Sequence, residues 1–358
     1  MIFKMRILHV SNFGDKHNAR LYWNQCFKIS NGFIRNGHNV YNFSDRDRSR
    51  STIFNKFNDN EFVQKELLQT IENYRPNLLV LGHADRITNK TLRQIREKED
   101  IKIIEWNVDN LYLDNTLNKL LNRSHCLDGI FSTTADEQIT KCVSGNFITF
   151  FPNIVDSSVE NMKIYKNSNH SKDVFFAISH GVGTGILRKK NTSNEDNDPR
   201  VVFMDTLKTN LPNIKFNFFG MRGKQPIWAN EFNNNIKDCY MGICLQREPI
   251  LKYSLSDRIA QYLGNGLMVF IQNKTHYHEI LKNEKEAVYF DDVSDLAEKI
   301  KFYKNNKDIA LEIARNGHKR IHTDFNEKMI TNYMLDCLKH KNISSLEGKY
   351  NWPIHFYN

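Results

Sequence analysis

Two groups of residues in this 358-residue chain have the types and spacing to bind an anion. The first is Ser254, Ser256, Asp257 and Arg258, placed just before an apolar helical run (Ile259, Tyr262, Leu263) that stops at Gly266. Small hydroxyl residues and an acid open helices, and a helix's first turn offers unpaired backbone N–H groups to a negative ligand, here beside a guanidinium. The second is the loop His180-Gly181-Val182-Gly183-Thr184-Gly185, followed by Arg188, Lys189 and Lys190. Closely spaced glycines let backbone amides approach an anion, and the cations neutralise it. Singly, these stretches read as a capped helix and a flexible turn. Together in one βα domain they suit a diphosphate bonded by Gly181, Gly183, Arg188, Lys189 and Arg258. A third group, His83, Asp85, Trp106 and Asp109, follows two apolar strands, where open α/β sheets place their ligands.

The elements that must position these groups alternate between strand and helix. A strand from Arg6 to Phe13, a helix from Tyr22 to Arg35, the stop Asn36-Gly37-His38 and a strand from Val40 make a βαβ opening and demand a parallel sheet. Helices are expected over Glu61–Tyr74 and Lys90–Lys98, and strands over Leu78–Leu81, Ile101–Trp106, Asp128–Ser132 and Phe147–Phe151. The polar stretch Ser157–Lys172 has the composition of a linker. Strands then restart at Val174–Ser179, Lys215–Phe219, Met241–Leu245, Leu267–Ile271 and Ala287–Phe290. Helices are expected at Pro199–Thr209, Ile236–Tyr240, Ser294–Tyr303, Asp308–Asn316 and Glu327–His340. The result is an α/β chain of two Rossmann-like βα domains with a helical tail.

Composition sets bounds. Hydrophobic residues at 40% and aromatics at 12% mark a folded protein. The formal charge of +9 suits an anionic substrate or peripheral contact with an anionic membrane. It would also suit nucleic acid, the partner least expected here, and no basic block is long enough to choose among the three. The six cysteines form no Cys-x-x-Cys pair, so reduced, buried thiols in a cytoplasmic protein are expected. No apolar run reaches the roughly 20 residues of a spanning helix. The loop after the first strand has only Gly14, so the dinucleotide fingerprint is absent. Asp45-Arg46-Asp47 and Asp196-Asn197-Asp198 look like divalent-metal sites, but both are expected to be solvated turns. His276 and His278 are expected in an exposed loop, and no resident metal or cofactor is expected.

The order of these features resembles the GT-B glycosyltransferases of the broad "group 1" family, over nearly the whole chain. The marks are NGHNV at Asn36–Val40, Pro152-Asn153-Ile154-Val155-Asp156, SHGVGTG at Ser179–Gly185 and Asp291-Asp292 before a helix. The most specific is SDRIAQYLGNGLMVF at Ser256–Phe270, similar to the family's S-K-x-x-E-Y-x-A-x-G-x-P-V-V. The resemblance implies an acceptor-binding domain over 1–165 and a nucleotide-sugar-binding domain over 166–325, facing across a cleft. A helix and tail over 326–358 would return to the first domain. By position, Arg258 stands for the family's phosphate-binding Lys or Arg, and Gln261 for its ribose-binding Glu. Tyr253 stands where the Glu-x7-Glu pair begins, and Met268 replaces a Pro. The implied activity is metal-independent sugar transfer from a nucleotide sugar to a glycan or lipid-linked hydroxyl, in lipopolysaccharide or surface-polysaccharide synthesis. Asp109 or His83 would orient or deprotonate that hydroxyl. A nucleotide-sugar 2-epimerase, a DNA glucosyltransferase and a non-catalytic nucleotide-sugar binder share the architecture.

Overall fold

The structure, a computed structural model, describes residues 4–49, 59–112, 114–137, 147–178, 196–339 and 345–357. The chain divides into two compact units, Met1–Ile154 with Asp324–Asn358, and Val155–Thr323. The stretch expected to link two domains therefore belongs with the second unit.

The first unit is built on a seven-stranded sheet in the order β12-β6-β5-β4-β3-β1-β2. Its strands are β1 (Arg6–Ser11), β2 (Asn39–Ser44), β3 (Leu78–Gly82), β4 (Lys102–Asn107), β5 (Gly129–Ser132), β6 (Phe147–Phe150) and β12 (Phe356–Tyr357). All pair in parallel except β12, which runs antiparallel to β6 and was not foreseen. Strands such as β3 are buried at every position, because helices cover both faces of a parallel sheet. The helices are α1 (Gln25–Arg35), α2 (Asp45–Ser49), α3 (Asp59–Tyr74), α4 (Asn89–Lys98) and α5 (Asp114–Ser124). The periodic run near the C-terminus forms α11 (Glu327–Lys339), which packs on α1, with Arg35 Nη1 2.6 Å from Glu327 Oε1. Because β1 pairs with both β2 and β3, the order of winding reverses between β1 and β3.

The second unit has a parallel five-stranded sheet in the order β11-β10-β9-β7-β8. It comprises β7 (Val174–Ala177), β8 (Phe216–Phe219), β9 (Met241–Cys244), β10 (Met268–Gln272) and β11 (Val288–Phe290). The helices are α6 (Pro199–Asn210), α7 (Ala229–Ile236), α8 (Arg258–Asn265), α9 (Val293–Asn305) and α10 (Lys307–Asp324). The helix expected at 236–240 lies instead at 229–236. Ile236 is its last residue, and Tyr240 is buried where the chain enters β9. Here the winding reverses between β7 and β9. Reversals of this kind open a crevice at the carboxyl ends of the strands.

Candidate functional site

In the second unit, α8 brings Arg258 to the β7/β9 reversal. The helix ends at Gly266, whose φ of 90° is left-handed and whose N–H bonds to Leu263 O, a cap that suits glycine. The apolar face of α8 is fully buried, and Tyr262 accepts from the N–H of Ala177, the last residue of β7, at 3.1 Å. One turn earlier, the Arg258 guanidinium donates to Leu245 O at 2.7 Å, Ser256 Oγ at 2.9 Å and Ala177 O at 3.4 Å. It also lies over the Phe176 ring, 5.5 Å from its centroid. None of these partners is a carboxylate. Two further arginines stand nearby, and Arg200 and Arg247 share Asp198, at 2.7 and 3.8 Å. Burial, followed by the fields of Arg200 and Arg247, pulls the Arg258 pKa below the usual guanidinium range. Among the described residues the guanidinium thus meets no carboxylate at the strand ends, and an anionic ligand there would neutralise its charge.

The other predicted residues of this stretch separate into two sets. Ser256 stays with Arg258, and Gln246 Nε2 also reaches its hydroxyl at 3.5 Å. Gln261 is 5% exposed, and its side-chain amide bonds to no described residue. Tyr253, with a left-handed φ of 60°, is completely buried and its hydroxyl donates to Glu279 Oε2 at 2.5 Å. That hydroxyl serves the loop fold rather than a ligand. Ser254 is buried, and Asp257 precedes α8 without a side-chain capping bond, so the helix entry is held by Arg258 and Ser256 instead. Gly181, Gly183, Arg188 and Lys189 lie outside the described residues.

In the first unit, His83, Asp85, Trp106 and Asp109 line one cavity of about 240 Å³ at the ends of β3 and β4, together with Arg46, Glu105, Asn107, Thr116, Lys119 and Leu120. His83 Nδ1 lies 3.4 Å from Asp109 Oδ2. Arg46 and Lys119 both pair with Asp85. Burial works against its charge, but the two cations hold the carboxyl below the usual carboxylate range. Glu105, on the cavity wall, pairs with buried Arg123, which also donates to Ala84 O and Ile87 O and so ties down the loop carrying Asp85. Sequence reasoning missed Arg46, Lys119 and Arg123. Leu117, Leu120 and Leu121 have helical spacing and were the available signal for α5.

The two aspartate pairs are structural, and three of their four carboxylates are not solvated. Asp45 is 0% exposed and accepts from the N–H of Arg46 and Arg86, while Asp47 accepts from the N–H of Asp15 at 2.8 Å. Asp198 caps α6 and pairs with Arg200; Asp196 is exposed and pairs with Arg222 at 2.5 Å. Among the described residues, His276, His278 and Glu279 bring their ligand atoms within 4.8 Å of one another on an exposed loop. Glu279 there is already engaged by Tyr253 and Lys252. The five cysteines described are buried thiols outside any disulfide, and burial pushes the Cys244 thiol up to about 12.

Residues 200–336 match a family model described as glycosyl transferase-like. A sucrose-phosphate synthase from Thermosynechococcus elongatus superposes with a TM-score of 0.59 at 11% identity, covering 94% of this chain and 98% of the other. The Anabaena protein HepE, in complex with UDP and glucose, superposes at 0.57 with 13% identity, over 94% and 99%. A glycosyltransferase from Rickettsia africae does so at 0.53 with 14% identity, over 96% and 99%. The chain has the GT-B fold. Within that fold, the matched stretch carries a glycosyltransferase-like domain, from Arg200 through Arg258 into α11. No curated protein matches the chain. Among the described residues, no helix is long and apolar enough to cross a membrane.

Proposed function

We propose that the protein is a glycosyltransferase that moves a sugar from a nucleoside diphosphate sugar to a hydroxyl of a glycan or lipid-linked acceptor, in surface-polysaccharide assembly. The observation that carries this reading is the Arg258 guanidinium, bonded among the described residues only to neutral oxygens at the β7/β9 reversal. A diphosphate leaving group gains negative charge as the sugar–oxygen bond breaks, and a prepositioned cation stabilises that charge without reorganising. In this reading Arg258 does what a divalent metal does elsewhere, and Arg200 and Arg247 add to the positive field. Gln261 faces the same ligand with an unspent amide, which can donate to one ribose hydroxyl and accept from another. The surface-polysaccharide setting rests on the resemblance of the sequence motifs.

The acceptor chemistry belongs to the first unit. Asp109 and His83 sit together at the mouth of a polar cavity, where they take the proton as the acceptor oxygen bonds to the anomeric carbon. The test is a calorimetric binding screen against nucleotide sugars, UDP-glucose included, followed by measurement of nucleotide release from whichever donor binds. Wild type is expected to bind one donor and release its nucleoside diphosphate. Binding without release would reduce the protein to a sugar-nucleotide binder, and no binding across the panel would overturn the donor site.

A further inference from the structure

His9 lies in the middle of β1, completely buried, and the acceptor chemistry above does not use it. Its ring is nonetheless bonded at both nitrogens. Trp106 Nε1 donates to His9 Nε2 at 3.0 Å, and His9 Nδ1 lies 2.8 Å from Ser30 Oγ. Ser30 in turn donates to Asn42 Oδ1 at 2.8 Å, and Asn42 is the register partner of His9 on β2. These contacts fix the tautomer. An indole N–H can only donate, so Nε2 must accept and Nδ1 must carry the proton. Burial pulls the His9 pKa down to about 3, which keeps the ring neutral at physiological pH.

Trp106 stands on β4, and His9 is on β1 with β3 between them. The indole crosses β3 at Gly82, its register partner, where a Cβ would fall 1.9 Å from the Trp106 ring. Only a residue without a side chain leaves that passage open. The next residue is His83, held at a left-handed φ of 52°, and its ring meets the Trp106 ring edge to face at 5.4 Å and 88°. We propose that His9 is a positioning residue, which anchors the Trp106 indole across Gly82 and thereby sets the orientation of the His83 ring towards Asp109. Among the described residues, Trp106 has no other hydrogen bond to hold its plane. Without the His9 acceptor the indole N–H is buried and unpaired, and the ring turns to satisfy it. The inference rests on His83 acting on the acceptor, as proposed above.

The experiment compares His9→Phe, which cannot accept from the indole, with His9→Gln, whose amide can accept from Trp106 and donate to Ser30. Trp106→Phe, which removes the donor and keeps an aromatic ring, gives an independent break. Protein NMR reads the Trp106 indole N–H and the Trp106–His83 ring contact, and UDP release from UDP-glucose reads turnover. His9→Phe is expected to lose solvent protection of the indole N–H and the ring contact, and to lower kcat about 10- to 100-fold, with the KM for UDP-glucose unchanged. His9→Gln should restore the indole signal and most of kcat. The proposal is overturned if folded His9→Phe, or Trp106→Phe in its place, keeps the wild-type His83 ring signals and kcat, or if His9→Gln is as impaired as His9→Phe. His83→Ala separates the two readings. If it keeps full turnover, the acceptor role fails, while the ring-contact measurement still decides the anchoring.

Discussion

At the β7/β9 reversal a guanidinium is held, among the described residues, by carbonyl and hydroxyl oxygens alone, whereas at the ends of β3 and β4 each cation lining the cavity meets a carboxylate. Both places are the carboxyl ends of parallel strands, so topology alone does not separate them. Charge does. Arg258 keeps a surplus that a phosphate would complete, and Arg46 and Lys119 spend theirs on Asp85. What the first unit leaves available is a half-exposed pair, His83 and Asp109, suited to hold a proton rather than an anion. In the proposed reading, leaving-group stabilisation belongs to one unit and proton handling to the other. That division also sets which perturbations should act on binding and which on turnover.

The largest effect should come from Asp109→Asn. Removing a proton acceptor in the transition state lowers kcat by roughly 10²- to 10⁴-fold. The dissociation constant for UDP-glucose should stay unchanged, since Asp109 belongs to the first unit; calorimetry beside turnover checks the split. A weakened Kd would erase the division of labour.

A smaller effect should appear in the stability of the second unit. Burial, followed by His322, lowers the His318 pKa from 6.5 to about 4, and the ring bonds to Leu263 O near the end of α8. The folded state thus favours neutral His318. Its contribution is fully present above pH 6.5 and is lost as pH falls towards 4, because the unfolded chain protonates first. Denaturant melts of wild type should lose about 3 kcal/mol more than His318→Gln across that window. Equal losses would show that His318 does not carry the dependence.

The smallest effect should be that of Gln261→Ala. The side chain bonds to no described residue, so its loss should cost little stability and weaken UDP-glucose binding only about 5-fold. Unchanged binding would remove Gln261 from the ligand's surroundings.

How far the sequence carried this picture depended on the range of the interactions. The continuous apolar run Leu78–Leu81 lies within a residue of the observed strand, because burial on both faces imprints directly on composition. Helix α2 was hidden because DRDRS looks like a solvated turn, although Asp45 and Asp47 are buried among backbone N–H groups. Helix α5 was hidden by its asparagines, and with it Lys119 and Arg123. The gathering of His83, Asp85, Trp106 and Asp109 was legible from strand ends alone. The His9–Trp106 bond was not, since it depends on register across three strands and on a glycine between them. Tyr253 showed the opposite failure, because its position in a motif says nothing of the Glu279 carboxylate that takes its hydroxyl.

The central claim is that Arg258 recognises the diphosphate of a sugar nucleotide. Its most direct test is calorimetric titration of UDP-glucose, UDP and uridine into wild type and Arg258→Ala, with thermal melts confirming that both are folded. Wild type should bind UDP-glucose and UDP at least about 100-fold more tightly than uridine, and Arg258→Ala should bring all three close together. Retention of the full preference for UDP over uridine by Arg258→Ala would contradict the account.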